Sequence, residues 1–111
     1  MADKVLVIIS TSDYRKACAG MMYALNATRN LWMEDVKVVF FGPAQDSITN
    51  NLELQELLKK YHTEGGISSA CKFIADRDEI TSAIDAIGIK VEYVGCIISD
   101  FIKDGYMPMV W

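Results

Sequence analysis

Cys71 is the residue of this chain whose type and setting best fit chemistry. It closes the stretch Gly65–Asp78, GGISSACKFIADRD, in which a short apolar run, Ile67 to Ala70, leads straight into the thiol. Lys72 follows, and Asp76 can open a helix. A thiol at the carboxyl end of a buried strand, beside a cation and near a helix N-terminus, occupies the edge where α/β folds bind and transform ligands. Cationic neighbours and helix N-termini lower a thiol pKa from its free value of about 8.5 and so favour the nucleophilic thiolate. The bland alternative is a buried cysteine acting as a small hydrophobe.

Cys96 is the second candidate. It follows Gly95 at the end of a later strand and opens a helix, which also places it at the carboxyl edge of a parallel sheet. If the two strands are neighbours, about 4.8 Å apart, Cys71 and Cys96 face one crevice. Cys96 could then act as a second, receiving thiol, resolve a mixed disulfide, line the pocket with Gly95, or simply pack. Cys18 falls with Met21 and Leu25 on the apolar face of the first helix and reads as core.

The three cysteines show no paired spacing, so neither a disulfide framework nor a structural zinc site is expected, and no cofactor or metal is called for. The single histidine, His62, reads as a residue of a helix C-terminal turn, favourable against the dipole. Unless it faces a cysteine, Cys-His catalysis has no base. Ser10, Thr11 and Ser12 follow the first strand. Their hydroxyls and amides could form one wall of a substrate site with Lys72, or serve as helix caps with Asp13. The cluster Asp76–Glu79 reads as a solvated helix start, with Arg77 able to steer an anionic donor. Met21, Met22, Met107 and Met109 read as core or interface, and Trp32 and Trp111 as candidates for a subunit contact.

The elements that must position these residues alternate. Lys4–Ser10, KVLVIIS, and Val36–Phe41, VKVVFF, are β-branched runs of the kind buried on both sheet faces. A helix from about Tyr14 to about Leu31 separates them. A second helix, capped at Asp46 or Ser47, carries Ile48, Leu52, Leu54, Leu57, Leu58 and Tyr61 and stops at Gly65-Gly66. Ile67–Cys71 is the third strand, followed by a helix from about Asp76 to about Ile87. Ile89–Val94 alternates and belongs near an edge. A helix over Ile97–Lys103 leads to Met107–Trp111, whose Pro108 restricts it to an edge. Strict alternation predicts one α/β domain over residues 1–111, a mainly parallel five-stranded sheet with helices on both faces.

The 111 residues carry 15 acidic and 11 basic side chains, a net charge of −4 with no basic stripe, which removes the electrostatic basis for nucleic-acid binding. No apolar run approaches the roughly 20 residues of a membrane span. Met1-Ala2-Asp3-Lys4 lacks a signal-peptide pattern, so a cytoplasmic location is expected. An apolar content of 51% is high for a small monomer and fits a subunit interface.

Four motifs in order then carry a resemblance over nearly the whole chain. They are KVLVIISTSDYRKACAGMMYALNATRNL, VKVVFFGP, GGISSACKF and the closing VGCIISDFIKDGYMPMVW. Together they resemble the DsrE/DsrF/TusD-like family of small sulfur-relay proteins. The resemblance implies an α/β sandwich, assembly into a homo-oligomer, trimer or hexamer, and a cysteine that carries sulfur as a persulfide. By position Cys71 matches that cysteine, and a sulfur-donor or acceptor protein becomes the expected partner. Two other functions stay open: a non-enzymatic ligand-binding or assembly module with incidental cysteines, and a flavodoxin-like cofactor protein, for which no second phosphate loop is evident.

Overall fold

The computed structural model describes residues 3–111; Met1 and Ala2, on which the signal-peptide reading partly rests, lie outside the described residues. Five strands form one sheet in the order β4-β3-β2-β1-β5. They are β1 (Lys4–Ile9), β2 (Asp35–Phe40), β3 (Ile67–Cys71), β4 (Lys90–Glu92) and β5 (Tyr106–Val110). Every pairing is parallel. The chain starts in the sheet, steps outward one strand at a time to β4, and returns to the opposite edge beside β1. Both edge expectations hold: three-residue β4 and Pro108-bearing β5 flank the sheet.

The period of two in each strand divides the interior into two clusters. Val5, Val7, Ile9, Val36, Val38, Phe40 and Ala70 point to one face. That face is covered by α1 (Tyr14–Arg29), α2 (Ala44–Asn50), α3 (Leu52–Thr63) and α5 (Thr81–Ala86). Leu6, Ile8, Val39, Cys71 and Tyr106 point to the other face. There the cover is α6 (Val94–Lys103), through Val94, Ile98 and Phe101. The short α4 (Lys72–Arg77) touches both clusters, with Ala75 in the first and Ile74 against the second.

Two expected helices are broken. The single helix predicted before Gly65 is α2 and α3, because Asn51 adopts an extended conformation (φ −113°, ψ 112°) and its side chain accepts from the Leu54 amide. A new N-cap therefore starts α3. Leu52, counted on the apolar face, is exposed as a result. The helix predicted from Asp76 begins at Lys72 and ends at Arg77; Glu79 takes a left-handed φ of 58° before α5 starts. Asp76 is thus inside α4, not at its start. The last helix begins at Val94, three residues before Ile97.

Tyr61 ties α3 to the sheet. Its buried hydroxyl lies 2.8 Å from the Val36 carbonyl and 2.9 Å from that of Ile67, and it accepts from the Ile67 amide at 3.2 Å. The ring passes so close to Gly66 that a Cβ there would meet ring carbons at 2.3–2.5 Å. This glycine is required by close approach, and it fixes where β3, and so Cys71, begins.

Candidate functional site

Cys71 ends β3 and is the N-cap residue of α4, but its sulfur makes no capping hydrogen bond. Its side chain is 7% exposed and packs with Val39, Leu6, Ile8 and Val94. Its backbone is held by a residue that sequence reasoning missed. Gln45, fully buried, donates from Nε2 to the Cys71 carbonyl at 3.0 Å and accepts the Gly42 amide on Oε1 at 3.1 Å. One amide side chain therefore links the turn after β2 to the end of β3. A fully buried amide side chain must find both donor and acceptor, and Gln45 finds one of each here.

The expected neighbours of Cys71 divide. Lys72 is committed to Asp76 in an i,i+4 pair at 2.7 Å on the surface. Arg77, the other cation of α4, is likewise paired, with Asp78 at 3.0 Å. The condition on which a shared crevice was raised is met, in that β3 and β4 are neighbours, and Glu92 is the register partner of Cys71. From Glu92 the chain runs through Tyr93 to Val94, which packs in the Cys71 cluster. Gly95 and Cys96 follow in the first turn of α6 and are exposed. The start of α6 thus contributes Val94 to the buried cluster that holds Cys71 and leaves Cys96, two residues on, exposed. Phe73 and Tyr93, 64% and 63% exposed, stand on the two segments bracketing Cys71.

Cys18 is a core thiol. Burial, reinforced by the neighbouring Glu53 carboxylate, pushes it up to about 11. His62 lies in the last turn of α3, where its Nε2 is 2.7 Å from Ser68 Oγ. Burial holds its pKa below the usual histidine value. Its close partner is a serine, so it supplies no Cys-His pair of that kind.

Ser10, Thr11 and Ser12 sit at the end of β1, two strands or about 10 Å from β3. The Ser10 and Thr11 amides both donate to the Trp111 carbonyl, at 2.8 and 3.1 Å. Thr11 Oγ1 accepts the Asp13 amide, and Asp13 caps α1 through the Arg15 and Lys16 amides. These groups serve the junction of β1, α1 and the C-terminal residue. Trp111 stacks on Tyr23 with ring centroids 6.4 Å apart, whereas Trp32 is exposed.

A cleft of about 340 Å³ opens on the α6 side of the sheet. Lys37 of β2, Ile67 and Ser69 of β3, and Lys90 and Glu92 of β4 form its floor. Ile97, Asp100 and Phe101 of α6 form its wall. It exists because one ten-residue helix cannot cover a five-stranded face, leaving Ile67 43% exposed in a parallel sheet, where strands are ordinarily covered on both sides. Lys37 is bonded to Asp35 at 2.8 Å, and Asp35 also accepts from the Tyr106 hydroxyl. Against the upward push of burial, these donors hold the Asp35 carboxyl below the usual carboxylate value.

No known family model matches the chain, and no curated protein matches it. Among solved structures it is similar to BT1422, a conserved protein of unknown function from Bacteroides thetaiotaomicron. The TM-score is 0.85 at 24% identity, over 98% of this chain and 95% of that one. The likeness establishes the fold, a single all-parallel five-stranded α/β domain. No helix among the described residues is long and apolar enough to cross a membrane.

Proposed function

We propose that this protein is a sulfur carrier in which Cys71 takes up sulfane sulfur as a persulfide and passes it to a partner thiol. The observation that carries the proposal is the placement of Cys71. It sits at the carboxyl end of β3, with no hydrogen bond to its sulfur among the described residues, buried in one cluster with Val94 at the start of α6. Uptake needs only a thiolate. Cys71 attacks the outer sulfur of a donor persulfide, the donor S–S bond breaks, and the donor thiolate leaves and takes up the proton that Cys71 gave up. Release reverses the exchange onto an acceptor thiol, with no net oxidation. Shelter suits a carrier, because a persulfide open to solvent is lost to any passing thiol.

Cys96, exposed in the same helix turn, is the natural second thiol, able to relay sulfur between solvent and Cys71. The test is intact mass after incubation with inorganic polysulfide. The expected product gains one sulfur atom, about 32 Da, in the wild type and loses that gain in Cys71→Ser. An unchanged mass at Cys71 with every donor would refute the carrier role.

A second reading, a ligand-binding module with incidental cysteines, is favoured by the cleft, whose lining does not include a cysteine. Its distinguishing result is full cellular function in a Cys71→Ser, Cys96→Ser double variant.

A further inference from the structure

The cleft and Cys71 lie on one line. Ile67, Ser69 and Cys71 alternate along β3 and so share a face, successive residues on that face being about 6.6 Å apart. Glu92, at the upper end of the cleft floor, is the register partner of Cys71. A molecule lying in the cleft with one end directed along β3 therefore points that end at the thiol.

Three of the four charged side chains lining the cleft have no ion-pair partner among the described residues. Among the described residues Lys90, Glu92 and Asp100 form no ion pair. The polar contact of Glu92 is a long one, 3.5 Å from Ser69 Oγ. Lys37 keeps its charge but shares it with Asp35. A purely anionic ligand would meet Glu92 and Asp100, and a purely cationic one Lys37 and Lys90. A ligand bearing one charge of each sign pairs with both sets. Ile67, Ile97 and Phe101 offer apolar contact to the stem between its charges and its far end. The volume of about 340 Å³ suits a small molecule rather than a peptide.

We infer that the cleft binds the sulfur donor as a small amino-acid-like zwitterion, a low-molecular-weight amino-thiol persulfide. Its carboxylate faces Lys90, its ammonium faces Glu92 and Asp100, and its persulfide reaches up β3 to Cys71. This inference rests on the carrier reading of Cys71 for its chemistry, though binding in the cleft does not. In the transfer, the Cys71 thiolate attacks the outer sulfur of the bound persulfide. The S–S bond of the donor breaks, and the amino-thiol departs with the proton lost by Cys71.

The test uses the unreactive probe S-methyl-L-cysteine, titrated to about 10 mM, high enough to detect a millimolar Kd, in a heteronuclear NMR experiment on the whole chain. Shifts confined to Ser69, Lys90, Glu92 and Asp100 are expected. Two single-charge analogues, S-methylcysteamine and 3-(methylthio)propionate, should bind about three- to fivefold more weakly, as should Lys90→Gln and Asp100→Asn with the full probe. No shift in the cleft, or equal affinity for all three probes, would overturn the inference. Sulfur uptake from inorganic polysulfide by the wild type tests the carrier reading separately. Uptake without probe binding rejects the zwitterion site alone, and probe binding without uptake rejects the carrier alone.

Discussion

Gln45 Nε2 and the Cys71 carbonyl oxygen, 26 residues apart in sequence, meet at 3.0 Å in the interior. The same side chain accepts the Gly42 amide, so it fixes the end of β3 against the turn after β2. The thiol is thus set by a buried polar strut rather than by a side-chain cap. Gln45→Ala should cost about 2–4 kcal/mol, because it leaves the half-buried Gly42 amide and the buried Cys71 carbonyl unpaired and opens a cavity. Urea unfolding measures the cost. A loss below about 0.5 kcal/mol would mean that water or backbone movement replaces the strut.

The three thiols should react in a fixed order. Iodoacetamide at pH 8 should label exposed Cys96 first, Cys71 more slowly, and Cys18 least, and all three equally in denaturant. Cys18 is both buried and raised to about 11, which leaves only about 0.1% thiolate at that pH. Peptide mapping at early times reads the order, and Cys18 labelling as fast as Cys96 would contradict it.

His62 should make stability depend on pH near neutrality. Burial lowers its folded pKa below the ordinary 6.5, so below that pH the unfolded chain binds a proton that the folded chain resists. Stability should therefore hold above about pH 6.5 and fall as the pH drops below it, levelling off once the folded pKa is passed. Comparing urea midpoints at pH 7.5 and 5.5, His62→Gln should show a smaller drop than the wild type. An equal drop would assign the dependence elsewhere.

The adjacent glycines Gly65 and Gly66 should respond differently to alanine. Gly66→Ala drives a Cβ into the Tyr61 ring and should cost about 3 kcal/mol. Gly65→Ala has open space around it but a φ of 91°, so it should cost about 1 kcal/mol. Thermal unfolding of the two variants separates them, and equal losses would show that the ring moves aside.

The strands were legible because continuous β-branched runs such as KVLVII admit one reading, and Pro108 and the alternating IKVEYV assigned the edges. The helix breaks were not. Leucines continue the 3.6-residue pattern across Asn51, and only the asparagine's own side chain, capping Leu54, reveals the restart. Cys71 was legible from its place after a glycine pair and a short strand. Gln45 was not, because the Cys71 carbonyl that it binds is 26 residues away. The cleft was hidden for the same reason: Lys37, Ser69 and Lys90 come together only when β2, β3 and β4 pair. Lys72, adjacent to the thiol in sequence, is committed elsewhere in space.

The most direct measurement loads the protein with a persulfide donor carrying heavy-isotope sulfur in the outer position, removes the donor, and adds an acceptor thiol. Peptide mass spectrometry should place the label on Cys71 after loading and on the acceptor after release, with Cys71→Ser unable to deliver it. Label confined to Cys96, or retained on Cys71 in the presence of every acceptor thiol, would contradict a carrier built around Cys71.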